Sequence, residues 1–383
     1  MRQQKELENQ TEYRVKYMNQ ENLHELINRY ENNYDLVNNS TNDEKFKWGA
    51  VRGFRDVWFS QKASEMSFAQ MFDAATKRSS VLINNRIVSP TTGIVKMAEQ
   101  RPDEVERLFR ELLFAEYTTI PELQNHMDGF LEQIEKIRQE LFPRFYRYKQ
   151  ERHAASCYLA FYAPEKHFIY RYSEAEEFAQ YIEFGKDLGA GSDFKLENYY
   201  ELAEIVVAAL KEHPSLIDKH DALFKGNDHY YYDESLHLMA FDLMYCCRCY
   251  NFYTGLHHAK KKDSIKAYTA QQLKEKEEAE RQQKITELED EIHAIDVQME
   301  MYDEISLLGV EVTQAMYGTG TVIAQKGSLI TVEFPEKTTS YTINKKFPMR
   351  PRFENDDEVV EAFTQYDMLK AQKRKKEEEL KRL

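Results

Sequence analysis

The sequence predicts a mainly α protein with one small β barrel near its C-terminal end, and three observations support this prediction. Glycine and proline, which interrupt helices, number only 13 and 9 in 383 residues. Through the first two thirds of the chain, apolar residues recur at the spacing of helices. Residues 309–347 instead alternate apolar and polar side chains, as β-strands do. The predicted order is a helical N-terminal domain, a long charged helix or helical hairpin, the barrel and a C-terminal helix.

Composition and charge exclude several classes of protein. Hydrophobic residues make up 42% and aromatic residues 13% of the chain, so a large core can form and wholesale disorder is excluded. The net charge of -14 excludes a polycationic coat for nucleic acid, because phosphate binding needs concentrated Lys and Arg. The polar start MRQQKELENQ predicts no signal peptide, and no apolar run is of membrane length. The four cysteines do not suggest a disulfide framework, so we expect a cytoplasmic protein with no membrane partner.

The helical part divides into a polar lead, 1–44, and an aromatic-rich recognition domain, 45–255. Two stretches of this domain, 102–114 and 127–141, place their apolar side chains on one helical face. Residues 236–250 are apolar nearly all round, which predicts a buried helix.

Two further segments have patterns that fit more than one structure. Residues 168–172 (FIYRY) fit either a short strand or the lead-in to a helix. The segment 256–306 is highly charged, and its apolar positions repeat at 3-4-3-4-3 spacing, as in a coiled coil. These positions are Ile285, Leu288, Ile292, Ile295, Met299 and Tyr302. They predict either self-association through 285–302 or a helical hairpin within the chain.

The span 307–353 is predicted to form an SH3-like barrel of four short strands, followed by a charged C-terminal helix at 354–383. Glycine- and proline-containing turns separate the four alternating stretches. Their alternating positions are Val310 and Val312, Thr321 and Ile323, Ile330, Val332 and Phe334, and Tyr341 and Ile343. Short antiparallel strands of this kind avoid exposed edges by curling into a barrel.

Motifs of catalytic and nucleotide-binding sites are missing from the sequence. It contains no GxxxxGKS/T loop, no GxGxxG after a strand, no GxSxG and no HExxH. Cys246 and Cys249, followed by two histidines, could bind zinc, but cysteines on an apolar helix are more often buried fillers. Asp193 and Glu197 could serve a metal-dependent nuclease, although they also fit ordinary surface charge. We therefore expect no catalytic residue, no metal site and no cofactor.

Two clusters combine cations with aromatic rings, a combination that can hold phosphates and stack on bases. The first consists of Lys47, Trp48, Arg52 and Arg55. Because Trp48, Val51, Phe54 and Trp58 also form one helical stripe, the alternative is a face buried in the core. The second lies within the basic and aromatic run 144–172, and its candidate pocket residues are Tyr148, Arg152, Tyr158, Lys166, Tyr170 and Tyr172. Amphipathic residues at the domain surface would give the same pattern.

The barrel carries more basic than acidic residues, opposite to the chain as a whole. Such a patch could engage nucleic acid or an acidic protein, or remain solvated. The candidate docking residues are Tyr317, Lys345, Lys346, Arg350 and Arg352.

Residues from about 30 to 172 resemble the module that precedes the AAA+ motor in bacterial restriction ATPases of the modified-cytosine (McrB) type. The resemblance is carried by 42–58, 68–71 and 102–109, and most closely by 148–172 (YKQERHAASCYLAFYAPEKHFIYRY). It implies selection of DNA, and a modified base would be read in an aromatic pocket after extrusion from the duplex. The nucleotide-binding motor that follows in that family is missing here, so the resemblance implies a selector without its motor.

The barrel region also resembles a known module. Residues 317–322 (YGTGTV) and 330–334 (ITVEF) are similar to the Tudor/SH3-like modules of UvrD-type helicases and CarD-type transcription factors. Those modules bind RNA polymerase or other proteins, so this resemblance implies docking.

Three functions remain open at this point. The first is a non-catalytic adaptor of a bacterial restriction or defence system that binds DNA, modified or not, or a DNA-associated protein complex. The second is a purely protein-binding scaffold, which the net charge of -14 and the coiled-coil pattern favour. The third is a divergent metal-dependent nuclease.

Overall fold

The computed structural model describes residues 18–84, 87–303, 305–343 and 349–383. The chain forms two compact units, Met1–Ala270 and Gln271–Leu383. Helices dominate, and the described strands form one antiparallel sheet in the second unit, so the prediction of a mainly α protein with a small β part is confirmed. Among the described residues, no helix is both long enough and apolar enough to cross a membrane.

Helices α1 to α13 build the first unit. They are α1 (Gln20–Asn32), α2 (Tyr34–Val37), α3 (Phe46–Trp58), α4 (Phe68–Thr76), α5 (Ser80–Ile83), α6 (Pro90–Gln100), α7 (Pro102–Leu113), α8 (Ile120–Leu141), α9 (Arg152–Tyr162), α10 (Tyr172–Tyr181), α11 (Leu196–Lys211), α12 (Pro214–Phe224) and α13 (His237–Cys249). Helices α6, α7, α8 and α12 have a proline in the first turn, where its missing N–H costs nothing. Capping boxes start α4 and α8 and satisfy their first free amides.

A single aromatic core joins the helices of the first unit. Trp48 of α3 stacks on Phe224 of α12, with ring centroids 4.5 Å apart. Phe109 of α7 contacts Phe72 of α4 and Phe130 of α8, with centroids 5.0 and 5.1 Å apart. The helices bury their apolar faces against one another in this common core.

The helical periodicities translate directly into these elements. The stretches 102–114 and 127–141 fall in α7 and α8, and the apolar stretch 236–250 corresponds to the buried helix α13. Residues 168–171 form neither a helix nor a strand, and α10 begins at Tyr172. Of the two alternatives for this segment, the helix lead-in is therefore confirmed.

The second unit contains β1 (Glu311–Gln314), β2 (Gly318–Lys326), β3 (Leu329–Phe334) and β4 (Lys337–Thr342), in the order β1-β2-β3-β4. The four predicted strands are confirmed, but the closed barrel is wrong, because the sheet is open. A C-terminal helix, α15 (Asp356–Leu380), places Val360 and Phe363 in the core beneath the sheet. When a helix covers the apolar face of a sheet, that face is buried without the sheet closing into a barrel.

The alternation in β2 also departs from the prediction. Thr321 and Ile323 were expected to share the apolar positions, whereas Val322 is buried and Ile323 is exposed. The register between β2 and β3 shifts between Val322 and Ala324. Such a bulge adds one residue to a strand and changes the face on which the following side chains lie.

Helix α14 (Lys261–Asp303) starts in the first unit, and its later part pairs with α15 in the second. The ion pairs between them are Lys284–Glu379 at 3.4 Å, Lys376–Glu291 at 2.5 Å and Lys373–Asp296 at 2.5 Å. Residue numbers rise along α14 while they fall along α15, so the two helices are antiparallel. Of the predicted alternatives, the long charged helix therefore describes residues 261–303, and no hairpin forms within it. Its later part packs antiparallel on α15 of the same chain, and self-association through 285–302 stays a prediction.

Candidate functional site

A cleft of about 1180 Å³ opens in the first unit. Its walls come from the middle of α8, the start of α9, the start of α10 with the residues before it, and the turn at 190–194. We call it the Arg152 cleft, after the residue that joins three of these walls. Arg152, Tyr170 and Tyr172, which the sequence proposed as pocket residues, all line it.

Arg152 fixes the shape of the cleft. It is the first residue of α9, and its Nε donates to Oδ1 of Asp128 on α8 at 3.0 Å. One terminal nitrogen donates to the carbonyl of Gly191, and the guanidinium lies 5.2 Å from the ring centroid of Phe194. A guanidinium holds such a geometry well because its donors lie in one rigid plane.

Two further arginines line the opposite part of the cleft. Arg171 lies 3.5 Å from Oε1 of Glu174, and Arg248 lies 3.5 Å from Oε2 of Glu177. Glu174 is buried, and its Oε2 has no hydrogen-bond partner in the described part of the chain. Acidic residues of α8 face the cleft as well, so its lining offers both donors and acceptors.

The aromatic side chains of the cleft differ in exposure. Tyr170 is buried against Phe194, with ring centroids 4.3 Å apart. Burial raises the pKa of Tyr170, which therefore stays a neutral phenol. Tyr172 is exposed and offers a ring face to a ligand.

His153 also lines the cleft, but its ring is already engaged. Nδ1 lies 2.9 Å from the carbonyl oxygen of Tyr170, and Nε2 lies 2.9 Å from that of Leu82. Burial lowers the pKa of His153, and the two carbonyls oppose this shift in part. The neutral ring donates to one carbonyl only and has no free nitrogen for proton transfer to a ligand.

A basic and aromatic stretch, residues 143–149 (PRFYRYK), continues from the cleft, which Lys149 lines. We call it the 143–149 segment. Phe145 and Tyr146 are 53% and 54% exposed. Within the described residues, no carboxylate lies within 4 Å of its three cations, Arg144, Arg147 and Lys149, whereas the arginines of the cleft are paired.

The 143–149 segment is held against α6. The amide of Ser89 donates to the carbonyl of Arg147 at 2.6 Å. A side chain at Gly93 would come within 2.6 Å of the carbonyl oxygen of Tyr148, so only glycine allows this approach. Phe145 stacks on Tyr148 with centroids 5.3 Å apart. The backbone anchors therefore fix the segment, while its cations have no carboxylate partner in the part of the chain that is described; a terminal nitrogen of Arg147 donates to Oγ of Ser89 at 3.2 Å.

Three of the proposed nucleic-acid residues lie inside the core. Lys47 has no exposed surface and pairs with Glu44 and Asp242, and Trp48 is equally buried. Tyr158 is buried too, and its hydroxyl donates to Gln150 at 2.9 Å. The core interpretation of the Trp48 stripe therefore describes its place in the fold.

The other proposed residues of the first unit lie outside the lining of the cleft. Arg52 pairs with Asp56 at 2.8 Å, and Arg55 donates to the carbonyl of Tyr162. Lys166 is exposed, and Tyr148 is half-buried within the 143–149 segment. The structure thus gathers Arg152, Tyr170 and Tyr172 and leaves these four elsewhere.

The proposed docking residues of the second unit are not one cluster of free cations. Arg350 forms a bidentate pair with Asp356, at 2.5 and 2.6 Å, and the Arg352 backbone bridges to Thr313. Tyr317 is half-buried, next to Lys337. Lys345 and Lys346 lie outside the described residues.

Sequence reasoning missed Asp128, Glu174, Arg171 and Arg248 as parts of the cleft. They come from three helices and one connection, and no spacing in the chain signals that they meet. The cations of the 143–149 segment did carry a signal, because they alternate with aromatic residues in the sequence.

The other chemical candidates do not form a site in the part of the chain that is described. Cys246 is buried, and the described residues contain no group of three or more His, Cys, Asp or Glu side chains able to hold a metal ion. Asp193 lies in a short exposed 3-10 turn at Gly191–Asp193. No family model, curated protein or solved structure matches this chain.

Proposed function

We propose that the first unit is a non-catalytic DNA-recognition module in which the 143–149 segment holds the phosphate backbone and the Arg152 cleft receives a base. The observation that carries the proposal is a row of three cations, next to a polar cleft, that have no carboxylate of the described residues within 4 Å. Other exposed cations of the described part of the unit, such as Lys62 and Lys77, also form no ion pair. Arg144, Arg147 and Lys149 differ because they lie together in one short segment, beside exposed aromatic rings and next to the cleft, so they form a local contact for a polyanion.

The net charge of -14 limits how DNA is held. An acidic protein repels the backbone at long range, so binding depends on a local cationic contact. Arg144, Arg147 and Lys149 supply that contact, and the exposed rings of Phe145 and Tyr146 add stacking on unpaired bases. The contact is therefore small and strongly dependent on salt.

The cleft complements a base rather than a phosphate. Its acidic residues accept hydrogen bonds from amino groups, as Asp and Glu do with cytosine N4, and its arginines donate to carbonyl and ring-nitrogen acceptors. Its volume of about 1180 Å³ exceeds that of common small-molecule pockets, so it has room for an extruded nucleotide. The resemblance of residues 30–172 to the McrB-type module supports DNA, and a modified base, as the target.

For the second unit we propose docking to a protein of the same DNA-associated complex, in a restriction or defence system. The similarity of 317–334 to Tudor/SH3-like modules supports this role. Met316 and Met349 are exposed beside Gln314, whose amide donates to the carbonyl of Met349 at 3.2 Å. Exposed methionines adapt to a partner surface at low cost.

Fluorescence anisotropy with the full chain tests DNA recognition. The probes are single strands and duplexes with cytosine or 5-methylcytosine, each titrated over a range of salt. The variant Arg144→Ala/Arg147→Ala/Lys149→Ala should bind at least tenfold more weakly at low salt. It should also flatten the dependence of log K on log salt by about 2–3, because each lost phosphate contact accounts for about 0.9.

A matched triple variant, Lys62→Ala/Lys77→Ala/Arg107→Ala, removes the same charge from exposed positions of the first unit. It should retain most of the affinity. Equal losses in both variants would show that only net charge matters and would refute the segment as the contact. If the wild-type chain binds neither strand form in a salt-sensitive way, the DNA proposal is wrong and the protein-scaffold function takes its place.

Tyr172→Ala separates the cleft from the segment. We expect it to reduce the preference between methylated and unmodified probes, or between single strand and duplex, while the salt dependence stays that of the wild type. An unchanged preference would remove the cleft from the proposal and leave the segment.

A further inference from the structure

A second pocket, of about 400 Å³, lies in the first unit and shares no residue with the Arg152 cleft. Six of its lining residues have aromatic or thioether side chains: Trp58, Met66, Phe68, Met71, Phe109 and Phe114. Polar groups, among them those of Ser64, Glu106 and Arg110, line it as well. We call it the Trp58 pocket. Neither the proposed DNA contact nor the sequence motifs account for it.

The walls of the Trp58 pocket are fixed by the core. Trp58, the last residue of α3, stacks on Phe54 with centroids 5.0 Å apart and meets the edge of Phe68 at 6.2 Å. Phe68 contacts Phe109 of α7 at 5.3 Å. The capping box of Ser67 sets the start of α4 and so the position of Phe68. The pocket is therefore a preformed feature of the packed helices.

The charges at the pocket cancel each other. Glu106 and Arg110 are the charged residues among those that line it. Nε and a terminal nitrogen of Arg110 donate to the same oxygen of Glu106, at 3.1 and 2.7 Å. Each charge of this exposed pair already has its opposite beside it, so the lining offers a charged ligand no isolated opposite charge and favours a neutral one.

The size and chemistry of the walls indicate the class of ligand. Pockets of about 300–1,000 Å³ bind small molecules, and an apolar cavity of about 150 Å³ takes a single benzene ring. At about 400 Å³ the Trp58 pocket has room for two fused rings. Trp58 and Phe68 offer edges and faces to such rings, and Met66 and Met71 offer polarisable sulfur.

The rim of the pocket leaves apolar surface in water. Phe114 is 52% exposed, and Phe59 is exposed as well. Both rings contact Tyr162, with centroid distances of 5.3 Å for Phe114 and 5.4 Å for Phe59. Met66, which lines the pocket, is exposed as well. Exposed apolar side chains at the mouth of a pocket are surface that a bound ligand removes from water.

We propose that the Trp58 pocket binds an uncharged, planar aromatic small molecule of about two fused rings. The pocket is independent of DNA binding, since it shares no side chain with the Arg152 cleft or the 143–149 segment. The ligand lies against Trp58 and Phe68, with the methionines closing around it.

Isothermal titration of the full chain with indole, a neutral molecule of two fused rings, tests this proposal. The variant Ala63→Phe fills the pocket from one wall and should weaken indole binding at least tenfold. Ala222→Phe makes the same change at an exposed position of α12 and should leave binding unchanged. Phe114→Ala removes part of the exposed rim without touching the core and should weaken binding about fivefold, so the test does not depend on the folding of Ala63→Phe.

A charged analogue tests the neutrality of the ligand. Indole-3-carboxylate should bind at least tenfold more weakly than indole, because the one cation that lines the pocket is already paired. Three outcomes would each overturn the proposal. They are equal binding of the two compounds, equal binding of indole by Ala63→Phe and the wild type, and no binding of indole by the wild type. None of these outcomes bears on the anisotropy experiment with DNA.

Discussion

The two units of this protein use the same ion-pair chemistry in opposite surroundings. In the first unit, the ammonium group of Lys47 is fully buried between Glu44 and Asp242. In the second, Lys373 and Lys376 of α15 pair with carboxylates of α14 at the surface of the antiparallel α14–α15 helix pair. The comparison teaches that burial, rather than the number of pairs, determines how much an ion pair constrains the fold.

The pair in the first unit is part of a larger polar network. Tyr30 donates to the second oxygen of Asp242 at 2.5 Å, and Tyr250 donates to Glu44 at 2.8 Å. Burial by itself would lower the pKa of Lys47, but the carboxylates of Asp242 and Glu44 raise it above its ordinary range. The ammonium group therefore stays charged and ties α3 to α13.

The second unit has a smaller core. Its buried apolar side chains among the described residues come from one face of the sheet, its flanking residues, α15 and two positions of α14, Leu288 and Ile295. Surface ion pairs add little to such a core, because exposed charges are already well solvated. We therefore expect the two units to respond very differently to the loss of one lysine.

The largest effect is expected for Lys47→Met. This change leaves two buried carboxylates without their cation, and should lower the free energy of unfolding of the first unit by about 3–5 kcal/mol. Urea unfolding followed by tryptophan emission measures it, because both tryptophans, Trp48 and Trp58, lie in the first unit.

The double variant Lys47→Met/Asp242→Leu sharpens this test. Removing the stranded carboxylate should restore part of the stability lost in the single variant, since an apolar pair of similar shape needs no counter-charge. If the double variant is as unstable as Lys47→Met or less stable, the loss is one of packing, and the contrast between the units does not depend on charge.

The sequence predicted the repetitive parts of this fold and missed what depends on meetings between distant residues. Helices α7, α8 and α13 and the four strands follow from periodicity, which is local. The open sheet could not be foreseen, because α15 covers its apolar face from a position after the strands. Lys47 looked like a surface cation because its partner Asp242 is 195 positions away.

The candidate site shows the same division. Arg152, Tyr170 and Tyr172 belong to one continuous run, and their presence in one cleft was predictable from that run. Asp128 and Arg248 reach the cleft through the packing of α8 and α13, which no spacing in the sequence encodes.

An intermediate effect is expected in acid from the buried histidines of the first unit. Burial lowers the pKa of both His167 and His220 to about 4. An unfolded histidine has a pKa of about 6.5, so between pH 6.5 and 4 the unfolded state binds protons that the folded state excludes. The contribution of each of these histidines to stability is therefore complete above pH 6.5 and falls by about 3 kcal/mol as the pH drops toward 4.

Urea unfolding at pH 7, 6, 5 and 4 checks this expectation. His220→Gln should make the loss of stability with acid shallower by about 3 kcal/mol. His229→Gln, the same change at an exposed histidine of the first unit, is the control and should keep the wild-type dependence. A His220→Gln variant with the full acid sensitivity of the wild type would show that buried histidines do not set it.

The smallest effect is expected at the α14–α15 helix pair of the second unit. Lys373→Ala removes a contact of 2.8 Å with Oδ2 of Asp296, but both side chains border on solvent. The change in the unfolding midpoint should be small at 0.15 M salt, where charges are screened beyond about 8 Å, and larger at low salt. The unfolding of this unit is the phase in which the far-UV circular dichroism signal changes while the tryptophan emission does not.

Lys375→Ala is the control, because it removes an exposed lysine of the same helix that forms no ion pair with a described residue. If Lys373→Ala loses as much stability as Lys47→Met, burial does not separate the two units. If Lys373→Ala and Lys375→Ala have equal unfolding midpoints at low salt, the α14–α15 pair is held by its apolar contacts alone.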